Sequence, residues 1–367
     1  MKSNYFNMII FLLTTTLVLA KTPFNNDFKG RYTKEKTIKK EYNVNADALL
    51  KITNSYGNLK ITSWNENRVE ITVIITTNGN DEEKVAKQLD EIDVSFDASP
   101  QMVAAETHIN KENKSWWSSW TSGNSSNNVN MEINYIVKMP VTNSVDLNND
   151  YGGIYLNKLK GKASISCDYG HMELGELLAD NNFLSFDYTN NSTIGYMKSG
   201  KINADYSTFT LENAENIELN ADYTKSTFKA LKTLNFTCDY GTLSADQIGS
   251  IKGRGDYLSL RLGSVSGNVD LNADYGSIKI EELTAAAGDV TIQTNYAGIR
   301  LGYAPDYHFN FTISLEYAGL SGDEDFDMVT KRIESSDKYY QGNYGGSGAT
   351  NTVNISSEYG GVTFEKK

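Results

Sequence analysis

A tyrosine returns along this chain at a nearly fixed beat, usually as Asp-Tyr. It stands at Tyr151, Tyr169, Tyr188, Tyr206, Tyr223, Tyr240, Tyr257 and Tyr275, then at Tyr296, Tyr317, Tyr344 and Tyr359, with an outlying unit at Tyr56. Most intervals are 17 to 19 residues, and the later ones stretch to 21, 21 and 27 before a last one of 15. A unit this short cannot bury its own apolar face and must borrow its neighbour's, so the beat predicts a stacked repeat.

Aligned on the tyrosine, position −4 is apolar or aromatic in every unit but one (Ile52, Leu147, Ile165, Ile202, Phe236, Ile313, Tyr340 among them), with Gly253 the exception. Position −2 is small, as at Cys167, Ala204, Cys238 and Ala273. This alternation is that of a half-buried strand. After the tyrosine comes Gly or a small polar residue, a turn signal. Positions +3, +5 and +8 are then apolar, as at Phe209, Leu211, Ile278, Ile280 and Leu283. The inward phase slips by one residue between zero and +3, which marks a corner. Each unit therefore reads strand, corner, strand, short turn. The fold expected is all-β: a parallel β-solenoid of about 17–21-residue rungs with an N-terminal cap region. A right-handed β-helix is the expected sense, since parallel crossovers are overwhelmingly right-handed. At the usual strand spacing the tyrosine run makes a rod on the order of 55 Å long. A propeller needs blades of about 40 residues, and a sandwich does not repeat one pattern so many times.

Three segments are expected. Residues 1–20 read as a signal peptide: Lys2 gives the positive start, Met8 to Leu19 the apolar stretch, and Val18 and Ala20 the small cleavage residues. Residues 21–140 read as N-terminal strands, a short helix and the cap. Residues 141–367 read as regular solenoid repeats with a C-terminal cap. Within the second segment, Asn80 or Asp81 is placed to cap a helix carrying Val85, Leu89 and Ile92 on one face, and Pro140 closes the last strand. The acidic run Asp323, Glu324, Asp325, Asp327 reads as a protruding loop. The net charge is −12, or −13 once Lys2 leaves with a leader. Such a chain should be repelled by nucleic acid and anionic lipid, and no second segment is apolar enough to span a membrane. Lys29, Arg31, Lys34, Lys36, Lys39 and Lys40 form one basic stretch, read as a strand edge or N-terminal arm, or else a docking patch. Cys167 and Cys238 share a column four repeats apart, too far for a disulfide, and should be free buried thiols.

The stretch Asn54-Ser-Tyr-Gly-Asn-Leu-Lys-Ile-Thr-Ser-Trp64, the helix after it, the strand ending Met139-Pro140 and the serial Asp-Tyr-Gly units together resemble the putative-adhesin family of secreted bacterial β-strand-repeat proteins. The closing Glu358-Tyr-Gly-Gly fits the same pattern. The resemblance covers nearly all of the chain after residue 20. It implies a β-helical fold, an envelope-associated location and no enzymatic activity.

Three features are candidate sites. Position −1 is Asp in eight successive units: Asp150, Asp168, Asp187, Asp205, Asp222, Asp239, Asp256 and Asp274. Carboxylates one rung apart repel by about 0.9 kcal/mol per pair in water. Either each accepts backbone N–H bonds at its corner, as Asx turns do, or cations, Ca²⁺ above all, bridge the column. The tyrosines themselves read as packing residues, turned inward or stacked at the corner. The loop Lys111–Asn128 holds Trp116, Trp117 and Trp120, three of the four tryptophans. They either form a contact surface for a glycan or envelope protein or fold back over the end of the coil. His108, His171 and His308 are scattered without metal-ligand spacing, and no nucleophile motif is present. The reading is therefore an exported, non-catalytic, adhesin-like envelope protein. Its rivals are a structural spacer and a polysaccharide-cleaving β-helix.

Overall fold

Equivalent residues of successive units sit side by side. In the computed structural model, Asp222 pairs with Asp205 on one side and Asp239 on the other, and Leu219 likewise lies between Ile202 and Phe236, all in parallel register. The structure describes residues 28–110, 129–346 and 348–367. Among them are twenty-five strands in one hydrogen-bonded system and one helix. The molecule is all-β, and its long parallel stack is the arrangement of a β-solenoid. The expected leader, residues 1–20, and the tryptophan loop lie outside the described residues.

The predicted columns are the core. Ile165, Leu184, Ile202 and Leu219 at −4 are buried, as are Leu211, Leu262 and Ile280 at +5 and Leu177, Ile248 and Leu283 at +8. Gly253 breaks the −4 column for a steric reason. A Cβ there would lie 2.3 Å from the Phe236 ring, which fills both rungs' share of space. Cys167 and Cys238 are free and buried, and burial pushes both thiols up to about 12.

The corner is a single left-handed residue. The strands Thr208–Asp222 and Lys225–Asp239 are interrupted only by Tyr223 and Thr224. All twelve corner tyrosines have φ between 51° and 63°. A bulky residue rarely adopts this conformation, which costs about 1–2 kcal/mol. The corner is held from the next rung: Tyr206 N–H donates to the Asp222 carbonyl at 3.0 Å, and Tyr223 N–H to that of Asp239 at 3.0 Å. Position +1 lies so close to its neighbour that a Cβ at Gly170 would sit 2.0 Å from the Gly152 carbonyl oxygen. Where Thr or Ser stands there, at Thr189, Ser207 and Thr224, the hydroxyl is used: Thr224 Oγ1 donates toward the Ala204 and Asp222 carbonyls at 2.8 and 2.9 Å.

Both ends depart from simple succession. The Tyr56 unit lies directly on the Tyr151 unit, with strand Leu49–Ser55 paired to Ser144–Asp150. Residues between them leave the stack and return. Strand Asn130–Pro140 extends Leu59–Trp64 in parallel, then pairs antiparallel with Arg68–Gly79, which carries the basic strand Tyr32–Asn43 on its other side. Lys34, Lys36, Lys39 and Lys40 of the basic stretch are thus on an outer strand, with Lys34 bonded to Glu82 at 2.7 Å, and Lys29 and Arg31 precede it. The helix Glu82–Asp90 is capped by Asp81, which accepts from Glu83 and Lys84 N–H groups. Ile92 is not on that helix; it opens the strand Ile92–Ser99. A buried polar network ties this block to the first rung. Asn54 Nδ2 donates to Asn149 Oδ1 at 3.0 Å and to the Ile133 carbonyl at 3.1 Å, and Thr107 Oγ1 donates to Asn54 Oδ1 at 2.9 Å.

At the other end the last unit in sequence is not the last in space. Strand Asn351–Glu358 inserts between Val290–Tyr303 and Phe309–Glu316, parallel to both. Tyr344, counted with the repeat tyrosines from its spacing, is not a corner. It is buried on the antiparallel strand Asp337–Tyr344, among Tyr303, Phe309 and Phe326. The acidic run, expected as a protruding loop, is a turn with Glu324 and Asp325 exposed that leads into the strand Asp327–Glu334; it is anchored by the buried Phe326 and by a 2.9 Å bond from Lys366 to Asp325.

Candidate functional site

The left-handed corners turn the tyrosines outward, one above another. Tyr56, Tyr151, Tyr169, Tyr188, Tyr206, Tyr223, Tyr240, Tyr257, Tyr275, Tyr296, Tyr359 and Tyr317 form one unbroken ladder in that spatial order. Its eleven steps are 4.6 to 5.1 Å between ring centroids, with planes within 10° of parallel. If straight, it is about 54 Å long, as strand spacing requires. These rings are not packed inward: from Tyr151 to Tyr317 they remain 45–60 % exposed. The expectation of large buried area fails because a left-handed residue points its side chain to neither face of the strands it joins.

Stacking decides what the ladder shows to solvent. Each ring covers its neighbours' faces, so the open area belongs to ring edges and phenol groups. Only the outer faces of Tyr56 and Tyr317 have no ladder neighbour, and Tyr317 is the most exposed of the series at 60 %. Of the two, Tyr317 is the end of the ladder where a sugar ring could meet an open aromatic face, since Tyr56 is only partly exposed. Burial, then the flanking phenols, then the aspartates hold the Tyr206 and Tyr240 phenols above their ordinary value, so they are neutral at physiological pH.

The aspartates run beside this ladder, half-buried at Asp150, Asp168, Asp187, Asp205, Asp239 and Asp274 and exposed at Asp222 and Asp256. Their bonds are made between rungs, not within a corner as an Asx turn would make them. Asp187 N–H donates to Asp168 Oδ1 at 3.1 Å, Asp222 N–H to Asp205 Oδ1 at 3.0 Å, Asp239 N–H to Asp222 Oδ1 at 3.2 Å and Asp256 N–H to Asp239 Oδ1 at 2.8 Å. Burial first, and then adjacent carboxylates, raise Asp150, Asp187 and Asp256 above the usual carboxylate value. Burial also raises Asp222, against the bond from Asp239 N–H. At the end of the column Asp274 Oδ1 is buried without a hydrogen-bond partner. Among the described residues no group of three or more His, Cys, Asp or Glu side chains is placed to hold a metal ion.

The histidines stay apart: His108 meets Ser95, and His171 meets the Tyr155 hydroxyl at 2.7 Å. Beyond the columns, an open surface groove runs past the second strand of five rungs, lined by Tyr196, Ala214, Leu231, Ile248 and Ser264. Among the described residues no helix is long and apolar enough to cross a membrane. Trp116, Trp117 and Trp120 lie outside the described residues. Sequence reasoning named the tyrosine column and its stacking at the corner; what it missed is that about half of each residue stays exposed.

No family model matches this chain, and no curated protein does. Three solved structures are similar to it. A putative cell adhesion protein from Clostridium sporogenes shows 12 % identity and a TM-score of 0.20, over 92 % of this chain and 100 % of the other. A putative adhesin from Parabacteroides distasonis shows 11 % identity and a TM-score of 0.35, over 73 % of this chain and 92 % of the other. A putative adhesin from Bacteroides fragilis shows 11 % identity and a TM-score of 0.20, over 90 % and 97 %. Scores this low do not lay the chains rung upon rung, and no residue role passes from those proteins to this one.

Proposed function

We propose that this chain is an exported, non-catalytic, adhesin-like envelope protein that binds through the tyrosine ladder and the aspartate row beside it. One observation carries the reading. Eleven tyrosines stand on strained left-handed corners with about half of each ring in water. Gly or Asn would turn such a corner at less cost, so the corner alone does not account for tyrosine. A repeated comb of ring edges and phenols suits an extended polymer lying along the axis, and an envelope glycan rich in hydroxyls is the class it fits best. Export rests on the leader read in residues 1–20, with residues 21–140 as cap and 141–367 as the coil, taken as right-handed. The loop with Trp116, Trp117 and Trp120 is a second contact element in this reading. Calcium bridging of the aspartate row is its least supported part.

The test compares the full chain with two variants: Tyr206→Ala/Tyr223→Ala/Tyr240→Ala, and Trp116→Ala/Trp117→Ala/Trp120→Ala. Each is assayed for binding to intact cells and immobilised envelope polysaccharide, with circular dichroism to show that folding is intact. The ladder variant should bind at least tenfold more weakly. If both variants bind as the parent does, the protein is a spacer. Release of new reducing ends from the polysaccharide would make it an enzyme.

A further inference from the structure

We propose that neighbouring ladder tyrosines are a modification site for one-electron oxidants, which join them carbon to carbon as dityrosine and so bolt successive rungs together covalently. This goes beyond the binding role and does not depend on it. Three observations carry it. The rings follow one another at 4.6–5.1 Å, nearly parallel, so each ortho carbon has its counterpart on the next ring at about that distance. The rings from Tyr151 onward are about half exposed, so an oxidant can reach them and they have room to swing. The ladder is unbroken, so a phenoxyl radical formed on any rung has a stacked neighbour that a second one-electron oxidation turns into its partner radical.

The chemistry balances with an oxidant of the haem peroxidase and hydrogen peroxide class. Each of two phenols gives up one electron and one proton. The two radicals pair their ortho carbons, and swinging of the rings closes the gap to a single bond of roughly 1.5 Å. The ortho hydrogens then leave as protons while the two oxygens take protons up again. The protein loses two hydrogen atoms per link, and peroxide is reduced to water.

The molecule contains its own controls. Tyr303 and Tyr344 are also close, at 5.0 Å, but meet edge to face at 73° and are both buried. They should not couple. The spatial order also differs from the sequence order. Tyr359 lies between Tyr296 and Tyr317, so Tyr296–Tyr359 and Tyr317–Tyr359 links are allowed, whereas Tyr296 and Tyr317 are two steps apart.

The experiment treats dilute full-length protein with peroxidase and hydrogen peroxide, reads dityrosine fluorescence, and maps linked peptides by mass spectrometry. Same-chain links between ladder neighbours should dominate, including Tyr296–Tyr359 and without Tyr296–Tyr317. Unfolding the chain in urea before photosensitised oxidation should cut the Tyr296–Tyr359 link at least tenfold. Tyr223→Phe keeps a stacked ring but no phenol, so it should remove the Tyr206–Tyr223 and Tyr223–Tyr240 links and leave the others. The proposal is overturned if free tyrosine dimerises under these conditions and the protein does not. It is equally overturned if Tyr303–Tyr344 or intermolecular links prevail, or if the pattern is the same in the unfolded chain.

Discussion

Two aromatic regions of this molecule are built by opposite rules. Along the outer corner, tyrosines stack within 10° of parallel because a parallel register puts identical residues over one another. At the C-terminal end, Tyr303, Phe309, Tyr344 and Phe364 come from four different strands and Phe326 from the turn before another, and most of their contacts are tilted or edge to face. Edge-to-face and offset contacts are both favourable for aromatic quadrupoles. Inside, each ring finds its partner by packing. Outside, the repeat dictates the partner, and the ring centroids stand at the spacing of the strands that carry them. A cluster therefore depends on each member, and a ladder on continuity.

The widest contrast is expected on truncation. Phe309 is fully buried in the end cluster, and Phe309→Ala removes the ring that touches Tyr303, Tyr307, Phe326 and Phe364. A buried Phe→Ala change costs ~3–5 kcal/mol. Chemical denaturation should show that loss, with earlier hydrogen exchange in residues 351–366, which pack beneath the cluster. Tyr223→Ala on the ladder deletes two stacked contacts and should cost ~1–3 kcal/mol. Tyr223→Gly should be less harmful than Tyr223→Ala, because glycine relieves the left-handed corner. If Tyr223→Ala destabilises as much as Phe309→Ala, the ladder is structural core and the distinction between the regions fails.

The same contrast explains what could be read from sequence. The −4, −2, +3, +5 and +8 columns were legible because burial repeats with strand parity, and even Gly253 keeps the pattern once Phe236 is seen filling its space. The corner was legible as a slip of phase. Its outward direction was not, because left-handed backbone lies outside the two-face logic of a strand. The C-terminal order was illegible for another reason. Spacing counts Tyr344 like Tyr317, yet Tyr317 has φ 51° while the positive angles near Tyr344 fall on Gly345 and Gly346. The chain doubles back there, so Tyr359 closes on Tyr296, a long-range choice made by packing of Phe364 and Phe326. The aspartates show both limits at once. Their outward parity was clear, but their bonds to the next rung's N–H needed the register.

The smallest effect expected is on that aspartate row, and its sign is definite. Burial and neighbouring carboxylates hold Asp150, Asp187 and Asp256 above their ordinary value of 3.8, and burial does so for Asp222. The folded chain therefore takes up protons before the unfolded one does. Stability contributed by these four groups rises as pH falls from neutral into the window just above 3.8, and is lost again as pH rises. The opposing groups are Asp180, Glu215 and Glu281, held low by bonds from Lys198, Lys232 and Lys279; their contribution is present above the ordinary values of 3.8 and 4.5 and is lost as pH falls from there through their lowered folded values. Asp222→Asn separates the two. An amide oxygen still accepts from Asp239 N–H, as the carboxylate does at 3.2 Å, and Asn295 already occupies this position one rung beyond Asp274. The variant should be more stable than the parent at pH 7 by up to about 2 kcal/mol, since it removes the repulsion with both Asp205 and Asp239 one rung away in water. That advantage should shrink with added salt and vanish near pH 4. Melting curves of parent and variant across this range measure it. A variant less stable at pH 7 would mean that the charge itself, through a bound cation or a stronger N–H bond, holds the rungs together.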